Sequence, residues 1–520
     1  MRLTRRLFLF LLLVLLASTT LAAERPDLIV VISIDQFPYY YIPRFAPYFA
    51  GNGFNRFLKH GANFTEARYP YAITETGPGH AAIGTGNPPS RTGIVSNNWL
   101  DRFTGKTVYC AADPRVTPPF SPLNLGCDTL GDRAEEKVPG AKVAGVALKD
   151  RAAILMTGRK ATEAYWFDPK IPGFTTSSYY SAANHTVVNE YNATVPEYVK
   201  AHTVWEQTTF IPAADLPRIT HDTVELRKYK SNPSELGVEF PHPIKNLNAL
   251  ETSPYGNGLV ISMAERVLES EKPLLLYVGL STSDYIGHAY GPDSLEAADN
   301  VVRTDRDLAG FFDYLDQHYG DRYTVALTSD HGVQSIPEVA KALGRDAGRF
   351  NMANAKSPER QKIDPQGLIL TFAEPGLYLN WARIRALKLD PEQVKIAIRD
   401  AARKMTGVAG AWTSSELNVP NPQATGAELA MRNAFRADRS GDVLVALKES
   451  WIWNYGTTGT THGQPVEADM HVPVMFYGRG ITPGTYATAA APTDIARTLG
   501  ALIGVDAGGS DTHVLPCVAP

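Results

Sequence analysis

Three times in this chain a short apolar run stops at an aspartate. Leu28-Ile-Val-Val-Ile-Ser-Ile ends at Asp35, the run from Leu274 ends at Asp284, and Thr324-Val-Ala-Leu-Thr-Ser ends at Asp330. Short runs of this kind fit strands buried on both faces, and such strands belong to parallel sheets covered by helices. Val143–Leu148 and Val472–Tyr477 have the same character. Between the runs, Leu259–Leu268, Leu295–Tyr314, Val394–Met405 and Ile495–Ile503 space their apolar residues as helices do. The alternation predicts an α/β fold with a mostly parallel central sheet flanked by helices, all five apolar runs being parallel strands.

Two stretches interrupt the alternation. Residues 168–256 are rich in Tyr, Thr, Asn and Pro, and read as an inserted cap that faces the substrate. Residues 345–433 hold a possible strand, helix and strand at Leu368–Phe372, Asp390–Lys404 and Gly407–Thr413, and read as a second, smaller insertion. The 520 residues then divide into one discontinuous catalytic core, 24–167, 257–344 and 434–520, behind a leader at 1–23. A composition of 44% hydrophobic and 20% charged residues excludes a disordered or fibrous chain. A net charge of −4 gives no basic surface for a nucleic-acid backbone.

The leader has a basic start at Arg2, Arg5 and Arg6, an apolar stretch Leu7–Ala17, then small residues ending in Leu21-Ala22-Ala23. That is the pattern of a secretory signal peptide, cut after Ala22 or Ala23, and its apolar core is short against the ~20 residues a membrane span needs. Three arginines and no acid leave with it, so the mature chain carries −7. An exported, periplasmic or secreted protein without a membrane span is expected. Export permits disulfides, and Cys110 and Cys127 stand 17 positions apart, where a bridge would add about 3 kcal/mol. Cys517 has no evident partner. Asn63, Asn184 and Asn192 begin glycosylation triplets, which mean something only in a host that modifies them.

C-terminal strand ends share one edge of a parallel sheet, and that edge is where ligands bind. Three carboxylates there repel unless a cation lies among them. Histidines supply further ligands: Asp284-Tyr-Ile-Gly-His288 sets a carboxylate and an imidazole one helical turn apart, Asp330-His331 is an adjacent pair, and His462 precedes the run at Val472. Mixed Asp and His donors suit Zn²⁺ better than Mg²⁺ or Ca²⁺, and six ligands suit two ions. A nucleophile stands in Thr74-Glu-Thr76-Gly-Pro78-Gly-His80, a loop entering a helix with Thr76 at its N-cap. A helix N-terminus favours both an alkoxide and a phosphate. His80 and His471 read as structural.

Taken together, Asp35, Thr76-Gly-Pro-Gly-His80, Asp284-Tyr-Ile-Gly-His288, Asp330-His331-Gly332 and His462-Gly463 stand in an order that resembles the alkaline phosphatase superfamily. More closely, the chain resembles the type I phosphodiesterase/nucleotide pyrophosphatase branch and its bacterial PafA-like alkaline phosphatases. The resemblance spans nearly all of the mature chain. It implies two Zn²⁺, one on Asp284, His288 and His462, the other on Asp35, Asp330 and His331 with Thr76 as fourth ligand. It also implies a phosphothreonine at Thr76 and small-molecule phosphate esters as substrates.

The branch contains both monoesterases and diesterases. A monoester dianion carries more charge than a diester, so a monoesterase gains from extra cations. Lys149-Asp150-Arg151 follows the run Val143–Leu148, and is similar to the Lys and Arg, two apart, that contact phosphate oxygens in PafA-like enzymes. Gly93-Ile-Val-Ser-Asn-Asn98 is similar to their asparagine motif and makes Asn97 the phosphate ligand, with Asn98 as the alternative register because Ser96 and Asn98 depart from the usual residues. The expectation is a zinc-dependent alkaline phosphatase with some phosphodiesterase activity. The alternative is a phosphodiesterase or nucleotide pyrophosphatase using the same metals. A sulfatase would need a C-x-P-x-R context that Cys110-Ala-Ala-Asp-Pro does not supply. A non-catalytic exported binding protein would not need every ligand position filled.

Overall fold

The computed structural model describes residues 25–180, 185–453 and 456–518. The expected export signal and Asn184 lie outside them.

The central sheet has nine strands in the spatial order Gly484–Ala490, Ala62–Ala67, Val474–Gly478, Tyr323–Thr328, Leu28–Ile34, Leu275–Leu280, Val143–Ala147, Glu163–Asp168, Gly173–Thr175. Its middle is parallel: Leu28–Ile34 pairs in parallel with Leu275–Leu280 on one side and with Tyr323–Thr328 on the other. Alternation along the first strand explains its sequence. Leu28, Val30, Ile32 and Ile34 enter one core and Ile29 and Val31 the other, so both faces need apolar residues. Helices Tyr255–Glu271 and Leu295–Tyr319 cover the first face through Leu259, Met263, Leu308 and Phe312. Helices Leu130–Lys137 and Asp494–Leu502 cover the second through Leu130, Ala134, Ile495 and Leu499.

One expected parallel strand runs the other way. Val474–Gly478 is antiparallel to Tyr323–Thr328, with Val474 opposite Thr328. A doubly buried strand is apolar throughout in either direction, so its composition carries no sign of direction. The reversal has a functional result: the strand's beginning, not its end, lies at the C-terminal edge of the parallel strands. The chain leading into it, which carries His462, therefore arrives there as well.

The two interruptions pack differently. Between residues 168 and 256, Val187, Tyr191, Trp205, Ile219 and Ile244 join the core on the first face. The later stretch supplies three strands of a separate four-stranded sheet, in the order Ile369–Ala373, Gly376–Leu379, Val443–Leu447, Val408–Thr413, and the strand Val443–Leu447 comes from beyond residue 433. Helix Pro391–Arg403 packs on it through Val394 and Ile398, and the two share a separate core.

The expected cystine is not formed: Cys110, Cys127 and Cys517 are free thiols. Cys110 is buried, with Sγ 3.0 Å from where a Cβ on Gly77 would stand, whereas the Cys127 thiol lies 3.2 Å from the Arg91 carbonyl oxygen. Each sulfur is engaged in its own surroundings. Among the described residues no helix is long and apolar enough to cross a membrane.

Candidate active site

The sheet delivers its aspartates to one place. Asp35 follows the first strand and donates its backbone N–H to Leu280 O on the neighbouring strand (2.9 Å). Asp284 lies in the first turn of helix Thr282–Tyr290, and Asp330 lies two residues past Thr328. All three are buried. Gln36 ties them together: its backbone N–H donates to Asp330 Oδ1 (3.1 Å) and its Nε2 to Asp284 Oδ1 (2.7 Å). Its φ of +56° is rare outside glycine and is the kind of strain that collects at functional sites.

The imidazoles share one arrangement. His288 Nδ1 is 2.8 Å from Thr460 O, His331 Nδ1 is 3.0 Å from Gly332 O, and His462 Nδ1 is 2.7 Å from Thr74 O. A carbonyl oxygen only accepts, so each Nδ1 carries the proton and each Nε2 presents its lone pair to the site. His288 Nε2 stands 3.2 Å and His462 Nε2 3.7 Å from Asp284 Oδ1, while His331 Nε2 is 3.3 Å from Asp330 Oδ2. The rings of His331 and His462 stack with centroids 3.5 Å apart. Ligand atoms of Asp284, His331 and His462 lie within 4.8 Å of one another, and so do those of Asp35, His80 and Asp330. His331 thus sits between the two expected ligand sets.

Thr76 is the first residue of helix Thr76–Thr85, one position inside the expected cap, and the cap residue is Glu75. Arg151 Nη2 donates to its hydroxyl at 3.4 Å. Asn97 Oδ1 accepts the Gly77 N–H (2.7 Å), which leaves its carboxamide N–H group for a ligand. Asn98 is exposed in the strand Asn98–Leu100 and makes no such contact. Gly79 allows the helix to touch Asp330, since a Cβ there would collide with the Asp330 backbone and Cβ. Lys149 caps helix Asp150–Thr157 at the end of strand Val143–Ala147, with Nζ 2.8 Å from Asp35 Oδ2 and 2.5 Å from Asp284 Oδ2. The structure therefore gathers Asp35, Thr76, Asn97, Lys149, Arg151, Asp284, His288, Asp330, His331 and His462 at one sheet edge.

Sequence reasoning passed over three neighbours. His80, read as structural, has Nδ1 2.8 Å from Thr76 O and Nε2 3.1 Å from Asp35 Oδ1. Its position four after Thr76 in a helix was the available signal. Glu75 accepts from the Asn97 N–H (2.7 Å) and from Ser96 Oγ (2.9 Å), so it fixes the asparagine loop. Gln36 was signalled only by following Asp35.

The electrostatics show a shortage of positive charge. Burial pushes Asp35 and Asp284 upward, but Lys149, with His80 at one and His288 at the other, holds both well below the usual carboxylate range. Asp330 is driven well above that range by burial and by the charge of Asp35, because the one ammonium does not serve three acids. Burial lowers His331 to about 4, and it holds His462 well below the ordinary imidazole value, with the neighbouring imidazoles adding to the shift. Asp330 Oδ2 and His331 Nε2 are buried without a hydrogen bond, and the two oxygens of Asp35, though ion-paired with Lys149 and His80, accept none of regular geometry. Buried carboxylates and imidazole lone pairs that converge unsatisfied are the donor set a divalent cation completes, so these residues fit a metal centre.

A parallel sheet carrying a buried Asp/His cluster beside a hydroxyl at a helix start defines a metal-ligating hydrolase-like site. The chain matches the type I phosphodiesterase / nucleotide pyrophosphatase family over residues 29–469, and it belongs to that family. It is 31% identical over 517 residues to alkaline phosphatase PafA of Elizabethkingia meningoseptica, spanning 94% of this chain and 93% of that protein. It is 31% identical over 511 residues to alkaline phosphatase PhoV of Synechococcus elongatus, spanning 92% and 90%. The crystal structure of wild-type PafA superposes with a TM-score of 0.88 at 29% identity, over 96% of this chain and all of that one. Murine ectonucleotide pyrophosphatase/phosphodiesterase 5 shares the fold, with a TM-score of 0.57 at 15% identity. The architecture is alkaline phosphatase-like, as the family resemblance implied, with the helix-covered, largely parallel sheet that the apolar runs implied.

Proposed function

We propose that the protein is an exported, zinc-dependent alkaline phosphatase that hydrolyses small-molecule phosphate monoesters through a phosphothreonine at Thr76, with lesser phosphodiesterase activity. The observation that carries the reading is the set of groups around Thr76 Oγ: Arg151 on its hydroxyl, the Asn97 carboxamide on the next backbone N–H, and Lys149 at the neighbouring strand end. The names of the relatives support the monoester reading, and the donor set supports zinc.

Asp284, His288 and His462 would hold one zinc ion, and Asp35, Asp330, His331 and Thr76 the other. Bound there, such ions supply positive charge to the entering and departing oxygens and lower the pKa of a hydroxyl. At this helix start the Gly77 N–H is taken by Asn97 Oδ1 and Pro78 has none, so the Thr76 N–H is the backbone donor left to an anion beside Thr76 Oγ. Thr76 Oγ gives up its proton and bonds to phosphorus as the bond from phosphorus to the alcohol oxygen breaks, and the alcohol leaves with a proton. Water then attacks the same phosphorus from the opposite side. The bond from Thr76 Oγ to phosphorus breaks, Thr76 regains a proton, and inorganic phosphate departs. Through both steps Arg151 can donate two parallel hydrogen bonds to nonbridging oxygens, Asn97 one, and Lys149 a point charge.

The test is kcat/KM for an aryl phosphate monoester and its methyl diester, with zinc quantified in the same preparation. Monoester preference and two zinc ions per chain are expected. Lys149→Ala and Arg151→Ala should each lower the monoester value by roughly 10–100-fold, the loss of a charge-assisted contact, and the diester value far less. Diester preference would instead assign the phosphodiesterase role described by the family's name.

A further inference from the structure

Lys149 is a flexible four-carbon chain ending in a point charge, so something must aim it if it is to select a dianion. On one side its ammonium meets Asp35 and Asp284. On the other it faces the ring of Tyr285, 5.0 Å from the centroid. Tyr285 directly follows Asp284 in helix Thr282–Tyr290, and its hydroxyl donates to Glu251 Oε1 at 2.7 Å. Glu251 is the last residue of helix Leu247–Glu251, within the stretch that interrupts the core. That helix is held where it ends. Asn246 caps it through the Ala249 N–H, and Ser253 Oγ donates to Leu250 O (2.7 Å). At Gly256 a Cβ would stand 2.8 Å from Glu251 O, 2.9 Å from Thr282 Cγ2 and 3.1 Å from Leu148 Cδ1. Only glycine lets Glu251, Thr282 and the strand end before Lys149 come so close.

We infer that Tyr285 and Glu251 are positioning residues for Lys149, through which the first inserted segment sets the preference for phosphate monoesters over diesters. An aromatic face attracts an ammonium, and a phenol that donates to a carboxylate is more electron-rich. The Glu251 acceptor fixes the ring edge, the ring face fixes the ammonium, and the ammonium selects the more highly charged ester. The inference rests on the reading of Lys149 as a phosphate ligand.

A double-mutant cycle tests it, with the ratio of monoester to diester kcat/KM and the inhibition constant of inorganic phosphate as readouts. Zinc content and thermal midpoint accompany each variant. Tyr285→Phe should lower the ratio by about 3–10-fold and weaken phosphate inhibition alongside, the size of a cation–π contact that has lost its anchor. Glu251→Gln keeps an acceptor and should lower the ratio less, by about 2-fold. In a Lys149→Ala background neither substitution should change the ratio further. Independent, additive effects overturn the inference, as do equal losses on both esters. If Tyr285→Phe lowers the thermal midpoint or zinc content, the cycle of Glu251→Gln with Lys149→Ala decides, and no coupling there overturns it. Should Lys149→Ala itself leave the ratio unchanged, the reading of Lys149 falls and takes the inference with it. Coupling absent while Lys149→Ala does shift the ratio removes the inference alone.

Discussion

Two buried clusters of charge in this molecule are built from the same residue types and end in opposite states. In the first, Lys230 Nζ lies 2.5 Å from Asp222 Oδ2 and 2.7 and 3.0 Å from the two oxygens of Glu296. Arg227 Nε donates to the other oxygen of Asp222 (2.7 Å), and the Leu295 N–H also reaches that acid (3.1 Å). Arg227 also reaches Glu239 (3.1 Å), so two cations meet three anions, and both oxygens of Asp222 and of Glu296 are served, although His242 Nε2, 3.4 Å from Glu296 Oε1, is without a hydrogen bond. In the second, Lys149 pairs with Asp35 and Asp284, Asp330 Oδ2 is left without a hydrogen bond, and imidazole lone pairs point inward. A closed cluster holds the fold together; an open one is waiting for positive charge. The side chains of Lys230, Asp222 and Glu296 are as buried as those of Lys149, Asp35 and Asp284, so burial does not separate structure from function here. Completeness of pairing does.

The largest effects should come from the open cluster. Thr76→Ala removes the proposed nucleophile and should lower kcat/KM by about 10⁴-fold or more, with zinc content and thermal midpoint retained. Retained turnover would break the assignment of this cluster to covalent chemistry. Chelation should abolish activity, and added zinc should restore it. Ions held by this cluster would bind the folded state alone, so their removal should also lower the thermal midpoint. If the apo protein were as stable and as active as the holo protein, the open cluster would be closed after all, and the comparison would fail.

Much of the open cluster was legible because its spacing is local. Asp284 and His288 are one helical turn apart, Asp330 and His331 are adjacent, and Thr76 opens a helix with Pro78 inside it. Such relations survive in a string of letters. What was not legible depends on tertiary approach. Nothing in the letters says that Gln36 bonds two aspartates from other strands, that Glu75 holds the loop of Asn97, or that Glu251 reaches Tyr285. The same holds for the closed cluster, whose members come from residues 222–230 and from the distant helix Leu295–Tyr319. The direction of strand Val474–Gly478 was lost for a different reason, since an apolar run reads alike forward and backward. The pairing expected of Cys110 and Cys127 was drawn from their count and compartment, and neither fixes where two sulfurs point.

The closed cluster should respond in stability and not in chemistry. Lys230→Met leaves Asp222 and Glu296 facing each other without their shared cation, and should cost about 3 kcal/mol or more in denaturant unfolding. The monoester to diester ratio should be unaltered. A stability change near zero would show that the cluster is no more than a solvated surface network. A changed ratio would show that it communicates with the site.

The smallest effect sharpens the comparison with a third kind of acid, one only half-buried. Asp307 lies on helix Leu295–Tyr319 near Tyr198, and Arg303, one turn earlier, directs its Nε to Asp299 and Nη2 to Glu206 O. Burial raises Asp307 to about 7 from an ordinary 3.8, Arg303 opposing only in part. Here neither a side-chain cation nor a metal closes the site, and a proton does. The folded pKa is above the unfolded one, so between pH 4 and 7 the unfolded chain releases a proton that the folded chain keeps. Stability from this group is therefore whole near pH 4, falls as pH rises, and is lost above about 7. Asp307→Asn should remove that slope: the variant's stability relative to the parent should rise from pH 5 to pH 8. Taking the difference between two zinc-loaded proteins cancels the titration of the metal ligands, which both share. A difference flat across that range would mean that Asp307 is ionised in the folded state and paired like Asp222, placing it with the closed cluster.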